Sequence, residues 1–215
     1  MRHSPSDAAP APGAVSTAFA TAESEPALFP LLLPRLLLIG GGIGLVAAFV
    51  LTIEKIALLE NPAYIPSCSI NPVLSCGSIM KTPQAELFGF PNPLLGIASF
   101  AVVATVGTVL LTGARLPRWF WLGLQAGVTA GVVFVHWLIF QSLYVIGALC
   151  PYCMIVWAVT VPVFWYVTLR TMARPPARRL ARTLAAYHTV PLTVWFLLLI
   201  TLIGVRFWSY WSTLL

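Results

Sequence analysis

The stretch from Trp119 to Leu169 reads WFWLGLQAGVTAGVVFVHWLIFQSLYVIGALCPYCMIVWAVTVPVFWYVTL, and it contains no Asp, Glu, Lys or Arg. As a single α-helix, its 51 residues would extend for about 76 Å, whereas the apolar core of a bilayer is about 30 Å thick. The stretch therefore predicts two membrane-spanning helices folded back on each other. We place the turn around residues 147–151, because proline favours the first turn of a new helix.

Further apolar runs lie on both sides of this stretch. The chain is 59% apolar and 8% charged, whereas soluble domains are about 45–50% apolar and about 25% charged. This composition excludes an ordinary soluble globule and predicts an all-α integral membrane protein with five transmembrane helices. In chain order, the predicted spans cover about residues 36–59, 93–112, 119–143, 150–170 and 188–208.

The segments outside the spans differ in character. Residues 1–34 are rich in Ala, Pro and Ser and predict a disordered cytoplasmic tail, and residues 35–215 form the predicted membrane bundle. A mixed loop at about residues 60–92 connects the first two spans. Several glycines in span one are expected to allow close packing against a neighbouring helix: Gly40, Gly41, Gly42 and Gly44.

Positive charges orient the predicted bundle. The net charge of +6 reports membrane topology in such a protein, and we expect no nucleic-acid partner. The 1–2 loop holds Lys81 alone, whereas nine arginines lie in the tail, the 2–3 turn and the 4–5 loop: Arg2, Arg35, Arg115, Arg118, Arg170, Arg174, Arg178, Arg179 and Arg182. This split predicts a multi-pass cell-membrane protein with a cytoplasmic N-terminus and an outer C-terminus.

The four cysteines fall on the predicted outer side, where disulfides persist. Cys68 and Cys76 lie in the 1–2 loop, and Cys150-Pro-Tyr-Cys153 opens span four. With Pro151 in the first turn, Cys150 becomes the N-cap, and the helix N-terminus favours thiolates. The pattern favours redox chemistry. A four-thiolate metal site and a purely structural pair of disulfides are the alternatives.

These cysteines, with Ser75-Cys-Gly-Ser78 and the segment AELFGFPNPLLG at residues 85–96, resemble the vitamin K epoxide reductase family. The resemblance covers about residues 36–170 and is closest to bacterial members. Cysteine order supports it, because another family of membrane thiol oxidases places its CxxC before its second pair. Many bacterial members carry a thioredoxin-like domain after span five, whereas this sequence stops at Leu215 and resembles the stand-alone form.

The resemblance implies a four-helix bundle around a quinone pocket, with a peripheral fifth helix. Cys150 and Cys153 would be the active-site pair, and Cys68 and Cys76 a shuttle pair that receives electrons from an extracytoplasmic thioredoxin-fold partner. The activity implied is that of a membrane thiol–quinone oxidoreductase that supports disulfide formation in exported proteins. Its acceptor would be ubiquinone or menaquinone, without a metal. Reduction of vitamin K quinone or its epoxide is the alternative enzyme activity.

The same resemblance suggests quinone-binding residues. Asn92 matches an asparagine that hydrogen-bonds a quinone oxygen, and Thr82 matches a Ser or Thr position of the family. Trp157 stands where some members have a tyrosine. From the residues alone, Asn92 and Thr82 are also good helix caps. A short helix at 84–90 would then cover the bundle mouth, with Leu87, Phe88 and Phe90 pointing inward.

Three ionisable residues lie within or beside the predicted spans. His136 on span three is either a proton-transfer candidate or part of the interfacial belt, and we favour the belt. Glu54 and Lys55 at the end of span one are expected to pair with each other or to extend towards the interface.

Overall fold

The computed structural model describes residues 29–173 and 176–213. Five of its helices are long and apolar enough to cross a membrane: Leu32–Glu60, Pro93–Leu111, Arg118–Ile146, Pro151–Met172 and Thr189–Arg206. We call them spans one to five. Within the described ranges there is one isolated β-bridge and no β-strand. The prediction of an all-α membrane protein with five spans is confirmed.

Two span boundaries differ from the predictions by more than two residues. Span one begins at Leu32, so the predicted boundary between tail and bundle at residue 34 falls inside a helix. Pro34 lies in the first turn, where its missing N–H removes no helical hydrogen bond. Span three continues past the predicted residue 143 as a π-helical turn, Gln141–Ile146. The rest of the predicted disordered tail, residues 1–28, lies outside the described residues.

Span one packs most closely against span two. A Cβ atom added at Gly107 would lie 2.4 Å from the Leu38 nitrogen, and one at Gly41 would lie 2.6 Å from the Ala104 nitrogen. Such backbone approach requires glycine, as is common between membrane helices. Span four packs against spans one and three. The expectation of close packing at the span-one glycines holds at Gly41 and at Gly44, where an added Cβ atom would lie 2.5 Å from the Phe100 ring, whereas Gly42 has open space beside it.

Span five lies at the edge of the bundle, and none of its residues is buried. Polar contacts attach it to its neighbours. The Trp195 indole donates to Nε2 of His136 at 2.9 Å, and Nε of Arg206 donates to the Leu143 carbonyl at 2.8 Å. At its other end, the Trp165 indole donates to the His188 carbonyl at 2.9 Å. His136 therefore connects two spans, a role that neither sequence interpretation included.

Four short helices complete the described chain: Cys76–Met80, the 3-10 turn Pro83–Glu86, Arg178–Ala186 and Trp208–Trp211. The predicted helix at 84–90 is wrong in length, since this 3-10 turn ends at Glu86. The Leu87 N–H donates to Oδ1 of Asn92, and Gly89 adopts a φ of +80°, so the helix does not continue. We call residues 61–92 the cysteine loop.

Candidate active site

Three sulfur atoms form a continuous contact at one end of the bundle. Cys68 and Cys76 are joined as a disulfide, and Cys150 and Cys153 are free thiols. Sγ of Cys76 lies 2.9 Å from Sγ of Cys150. The structure thus brings together the two cysteine pairs, which are far apart in sequence, in a geometry suited to thiol–disulfide exchange.

A small backbone bridge creates this contact. The Ser75 N–H donates to the Leu149 carbonyl at 2.8 Å, and the Leu149 N–H donates to the Val73 carbonyl at 2.7 Å. Cys76 and Cys150 each follow one of these bridged residues. The bridge therefore sets Cys76 beside Cys150 through main-chain hydrogen bonds, independently of the sulfur atoms.

Each side of the bridge is shaped by its own turn. In the cysteine loop, Oδ1 of Asn71 accepts the N–H groups of Val73 and Leu74 at 3.0 and 2.7 Å. Before span four, Gly147 adopts a φ of +71°, and the Ser142 hydroxyl donates to the Ala148 carbonyl. A π-helical turn often marks a functional site. Here it lies directly before the segment that carries Cys150.

Cys150 is the N-cap of span four, as the sequence predicted. Its sulfur accepts the Cys153 N–H at 3.5 Å, and Pro151 lies in the first turn. A hydrogen bond from the Cys153 thiol lowers the pKa of the Cys150 thiol below its usual value. Burial acts in the opposite direction, and the N–H groups of Cys153 and Tyr152 lower the pKa further. Cys150 is therefore the thiol prepared to become a nucleophilic thiolate.

This assignment predicts a pH dependence. In protein whose shuttle pair is removed by Cys68→Ser and Cys76→Ser, alkylation of Cys150 should rise with pH at a midpoint below that of an ordinary thiol. Adding Cys153→Ala should raise that midpoint, because the hydrogen-bond donor is lost. Adding Cys153→Ser should keep it low, since the hydroxyl still donates. Alkylation rates followed by mass spectrometry measure all three, and equal midpoints for the alanine and serine variants would contradict the assignment.

The sulfur atoms are largely inaccessible to water. Cys68 is 5% exposed, Cys76 is fully buried and Cys150 is 1% exposed. A protein partner cannot reach the disulfide in this conformation, so exchange with any external thiol requires the cysteine loop to move.

A cavity of about 770 Å³ begins beside the CxxC pair. Spans one to four line it, mainly with apolar side chains, and both Cys150 and Cys153 belong to its wall. Spans two and three make few direct contacts with each other, and the cavity lies between them. Val102 on span two lines the cavity and is 54% exposed. The cavity therefore opens sideways at the depth of the membrane.

Three of the four residues predicted to bind a cofactor line this cavity: Phe88, Asn92 and Trp157. The Phe88 ring lies 5.9 Å from the Phe134 ring across the cavity mouth. Trp157 is 2% exposed and forms part of the wall. Leu87 and Phe90, which were also predicted to point inward, are not among the lining residues.

Asn92 and Thr82 both make hydrogen bonds that the sequence did not indicate. Nδ2 of Asn92 donates to the Gln84 carbonyl at 2.7 Å, and no side-chain cap bond forms at the start of span two. Asn92 therefore occupies the N-cap position that the sequence suggested, but its side chain does not cap the helix, and one amide proton remains for a ligand. Thr82 donates to the Ile79 carbonyl at 2.7 Å and lies outside the cavity lining. The structure does not support a direct cofactor contact for Thr82.

Lys55 is a site residue that the sequence reasoning missed. It is 6% exposed and is the single charged side chain among the described residues that line the cavity. Its Nζ atom donates to the Met80 carbonyl at 2.7 Å and lies 2.7 Å from Oε1 of Glu86. The expectation that it pairs with Glu54 is wrong. The sequence did contain a signal for this site, because Glu54 and Lys55 lie next to each other inside an apolar run and ionisable residues in spans are often functional.

The metal alternative requires all four sulfur atoms in one cluster. Cys68, Cys76 and Cys150 lie within 4.8 Å of one another, and Cys153 is not part of this group. Because two of these three sulfurs form a disulfide, they are not available as thiolate ligands in this state. The arrangement therefore fits electron exchange better than a thiolate cage.

Comparison with known proteins agrees with the site. A family model described as "Vitamin K epoxide reductase family" matches residues 35–168. The matched region contains most of span one, spans two and three, all four cysteines and most of span four. No curated protein matches the chain.

Proposed function

The chain belongs to the vitamin K epoxide reductase family of oxidoreductases, and from this premise we propose that it is a membrane thiol–quinone oxidoreductase. It reoxidises a thioredoxin-fold partner and thereby supports disulfide formation in exported proteins. One observation carries the proposal. The shuttle disulfide contacts Cys150 on one side, and Cys150 and Cys153 face an apolar cavity on the other.

Electrons enter at the shuttle pair. A partner thiolate attacks the Cys68–Cys76 disulfide, the S–S bond breaks, and the second partner thiol closes the partner's own disulfide. The Cys76 thiolate then attacks Cys150 of an oxidised Cys150–Cys153 pair, and Cys153 leaves as a thiolate. Cys68 next attacks Cys76, which restores the shuttle disulfide and releases Cys150. After this internal transfer, the shuttle pair is oxidised and the CxxC pair is reduced.

The cavity has the properties that a quinone requires. Its walls are apolar, the amide of Asn92 can donate to a carbonyl oxygen, and Cys153 reaches its surface. A bound quinone would supply the acceptor for two electrons and two protons. The Cys150–Cys153 pair releases these two electrons and two protons when its disulfide closes again. The sideways opening between spans two and three would accommodate an isoprenoid tail from the lipid.

The direction of electron flow depends on the reduction potentials of the thioredoxin-fold partner and the quinone. A strongly oxidising thioredoxin-fold protein has a reduction potential of about −120 mV, and 30 mV for two electrons corresponds to about 1.4 kcal/mol. Net disulfide formation therefore requires a quinone at a higher potential than the partner. Ubiquinone and menaquinone are the candidates, with the exchange sites on the outer side of the membrane.

The purified protein in detergent tests this proposal. Reduced thioredoxin-fold protein should be oxidised when ubiquinone or menaquinone analogues are present, with one quinol formed per disulfide. Absorbance of the quinone and alkylation of the partner measure the two products. Vitamin K epoxide, supplied instead with a dithiol reductant, tests the alternative activity. Absence of quinol formation with every quinone would exclude the proposed function.

A cavity-filling variant links the activity to the cavity. Gly127 lines the cavity, and a Cβ atom there has no neighbour within 4 Å, so Gly127→Leu adds a side chain in open space. We expect the KM for quinone to rise about tenfold or more, because the leucine occupies part of the binding volume. Gly42→Leu is the matched control, since its Cβ also has no neighbour and Gly42 lies outside the cavity. Equal KM values in both variants would place quinone binding elsewhere.

A further inference from the structure

The cysteine loop is attached to span one by two consecutive residues of opposite charge. Glu54 and Lys55 are 7% and 6% exposed. Successive residues on an α-helix point about 100° apart, so the two side chains reach different parts of the loop. Buried charges are costly unless hydrogen bonds compensate them, and such residues near membrane spans are usually functional.

Glu54 holds the side of the loop that carries Cys68. Both of its carboxylate oxygens accept the Ser67 N–H at 3.3 Å, and Oε1 also accepts the Ser67 hydroxyl. A hydrogen bond to Glu54 raises the pKa of the nearby Tyr64 hydroxyl. Because Ser67 directly precedes Cys68, these contacts fix the backbone next to the first shuttle sulfur.

Lys55 holds the side of the loop that carries Cys76. Its ammonium group donates to the carbonyl of Met80, the last residue of the helix that begins at Cys76. It also pairs with Glu86 in the following 3-10 turn, whose neighbours Gln84 and Ala85 line the cavity. Lys55 thus attaches two elements of the loop to span one: the helix that begins at Cys76 and the 3-10 turn beside the cavity.

We propose that Glu54 and Lys55 are positioning residues that form a clasp on the cysteine loop. When closed, the clasp keeps Cys76 against Cys150 and keeps Cys68 buried; when open, it exposes Cys68 to the external dithiol. This inference rests on the proposed function, because the clasp separates internal transfer from exchange with a partner. Loosening it should therefore change the two steps in opposite directions.

The first measurement concerns external exchange. In a Cys150→Ala/Cys153→Ala background, the Cys68–Cys76 disulfide is reduced with dithiothreitol, and alkylation of Cys68 is followed over time. Adding Glu54→Gln or Lys55→Met should accelerate reduction about tenfold, because each removes charge-assisted hydrogen bonds. Glu60→Gln at the exposed end of span one is the matched control and should match the background rate. This assay uses neither quinone nor partner, so its result is independent of the proposed function.

The second measurement concerns internal transfer. In a Cys153→Ala background, the fraction of protein with a Cys76–Cys150 disulfide reports how well the loop is held. Glu54→Gln and Lys55→Met should each lower this fraction severalfold, whereas Glu60→Gln should not. If Glu54→Gln fails to fold, Ser67→Ala tests the same contact from the exposed loop side and should show the same directions with smaller changes.

Thermal unfolding in detergent separates a clasp from a general structural role. Faster reduction and less internal disulfide, with an unchanged unfolding midpoint, support the clasp. Unchanged reduction rates in Glu54→Gln, Lys55→Met and Ser67→Ala overturn the clasp. Faster reduction accompanied by a matching fall in the unfolding midpoint also overturns it, because the thiols are then exposed by loss of the fold.

Discussion

Replacing Cys153 by alanine is expected to abolish quinone reduction while leaving the protein inserted in the membrane. Cys153 lines the cavity one helical turn inside span four, and without it the CxxC pair cannot close a disulfide. Two electrons then have no route from Cys150 to an acceptor. Quinol formation should fall to background in the purified variant, and full activity would remove the basis of the proposed function.

The same variant should trap an intermediate. The Cys150 thiolate lies 2.9 Å from Sγ of Cys76 and can attack it, which releases Cys68, and without Cys153 no second CxxC thiol can displace Cys76 from Cys150. A Cys76–Cys150 link should therefore accumulate once Cys68, the remaining thiol that can reopen it, is alkylated. Cys150→Ala is the matched control, because it cannot form the link and should retain the Cys68–Cys76 disulfide. Proteolysis and mass spectrometry identify each bond, and a dominant Cys68–Cys150 link would reverse the proposed relay order.

The second large effect concerns the side of the membrane on which the sulfur atoms lie. Because Cys68, Cys76 and Cys150 are buried, single reporter cysteines at exposed positions are better probes. In a protein without its native cysteines, Ile70→Cys should react with a membrane-impermeant maleimide added outside intact cells. Thr183→Cys, beside Arg182 in the opposite-end helix, should react only after permeabilisation. The nine-to-one distribution of charges motivates this all-or-none difference.

Each reporter serves as the control for the other. Total labelling after permeabilisation should be equal for both, which shows that expression and reactivity are matched. Labelling of Ile70→Cys from the cytoplasmic side alone would overturn the topology and the proposed role in exported disulfides together.

The spans and the N-cap at Cys150 were predictable because their signals are local and strong, whereas the pairing of Cys68 with Cys76 was implied by the family resemblance. Charge-free runs of bilayer length define the helices, and the proline in Cys150-Pro-Tyr-Cys153 identifies the N-cap that the structure confirms. The order of the cysteine pairs indicated the family that the comparison shows. These features depend on composition and spacing, which a single sequence displays directly.

The contacts between loops were not predictable. The bridge between Leu74 and Leu149 joins two irregular segments, and neither segment has a periodic sequence pattern that would predict backbone pairing. Asn92 stands at the N-cap position that the sequence suggested, but its amide bonds the preceding turn, where it donates to the Gln84 carbonyl and accepts the Leu87 N–H. Such choices depend on distances between segments that only the folded chain defines.

The sideways opening between spans two and three has a kinetic consequence for the proposed reaction. For a substrate that enters from the bilayer, the relevant concentration is the ratio of substrate to lipid molecules, because the substrate diffuses within the membrane and does not mix with the bulk water. Adding lipid at a constant amount of quinone would lower the concentration of quinone in the bilayer at the cavity opening, which Gly127 and Val102 line. Adding buffer would not change this concentration. Turnover in the cell would then follow the mole fraction of quinone in the membrane and the fluidity of the surrounding acyl chains.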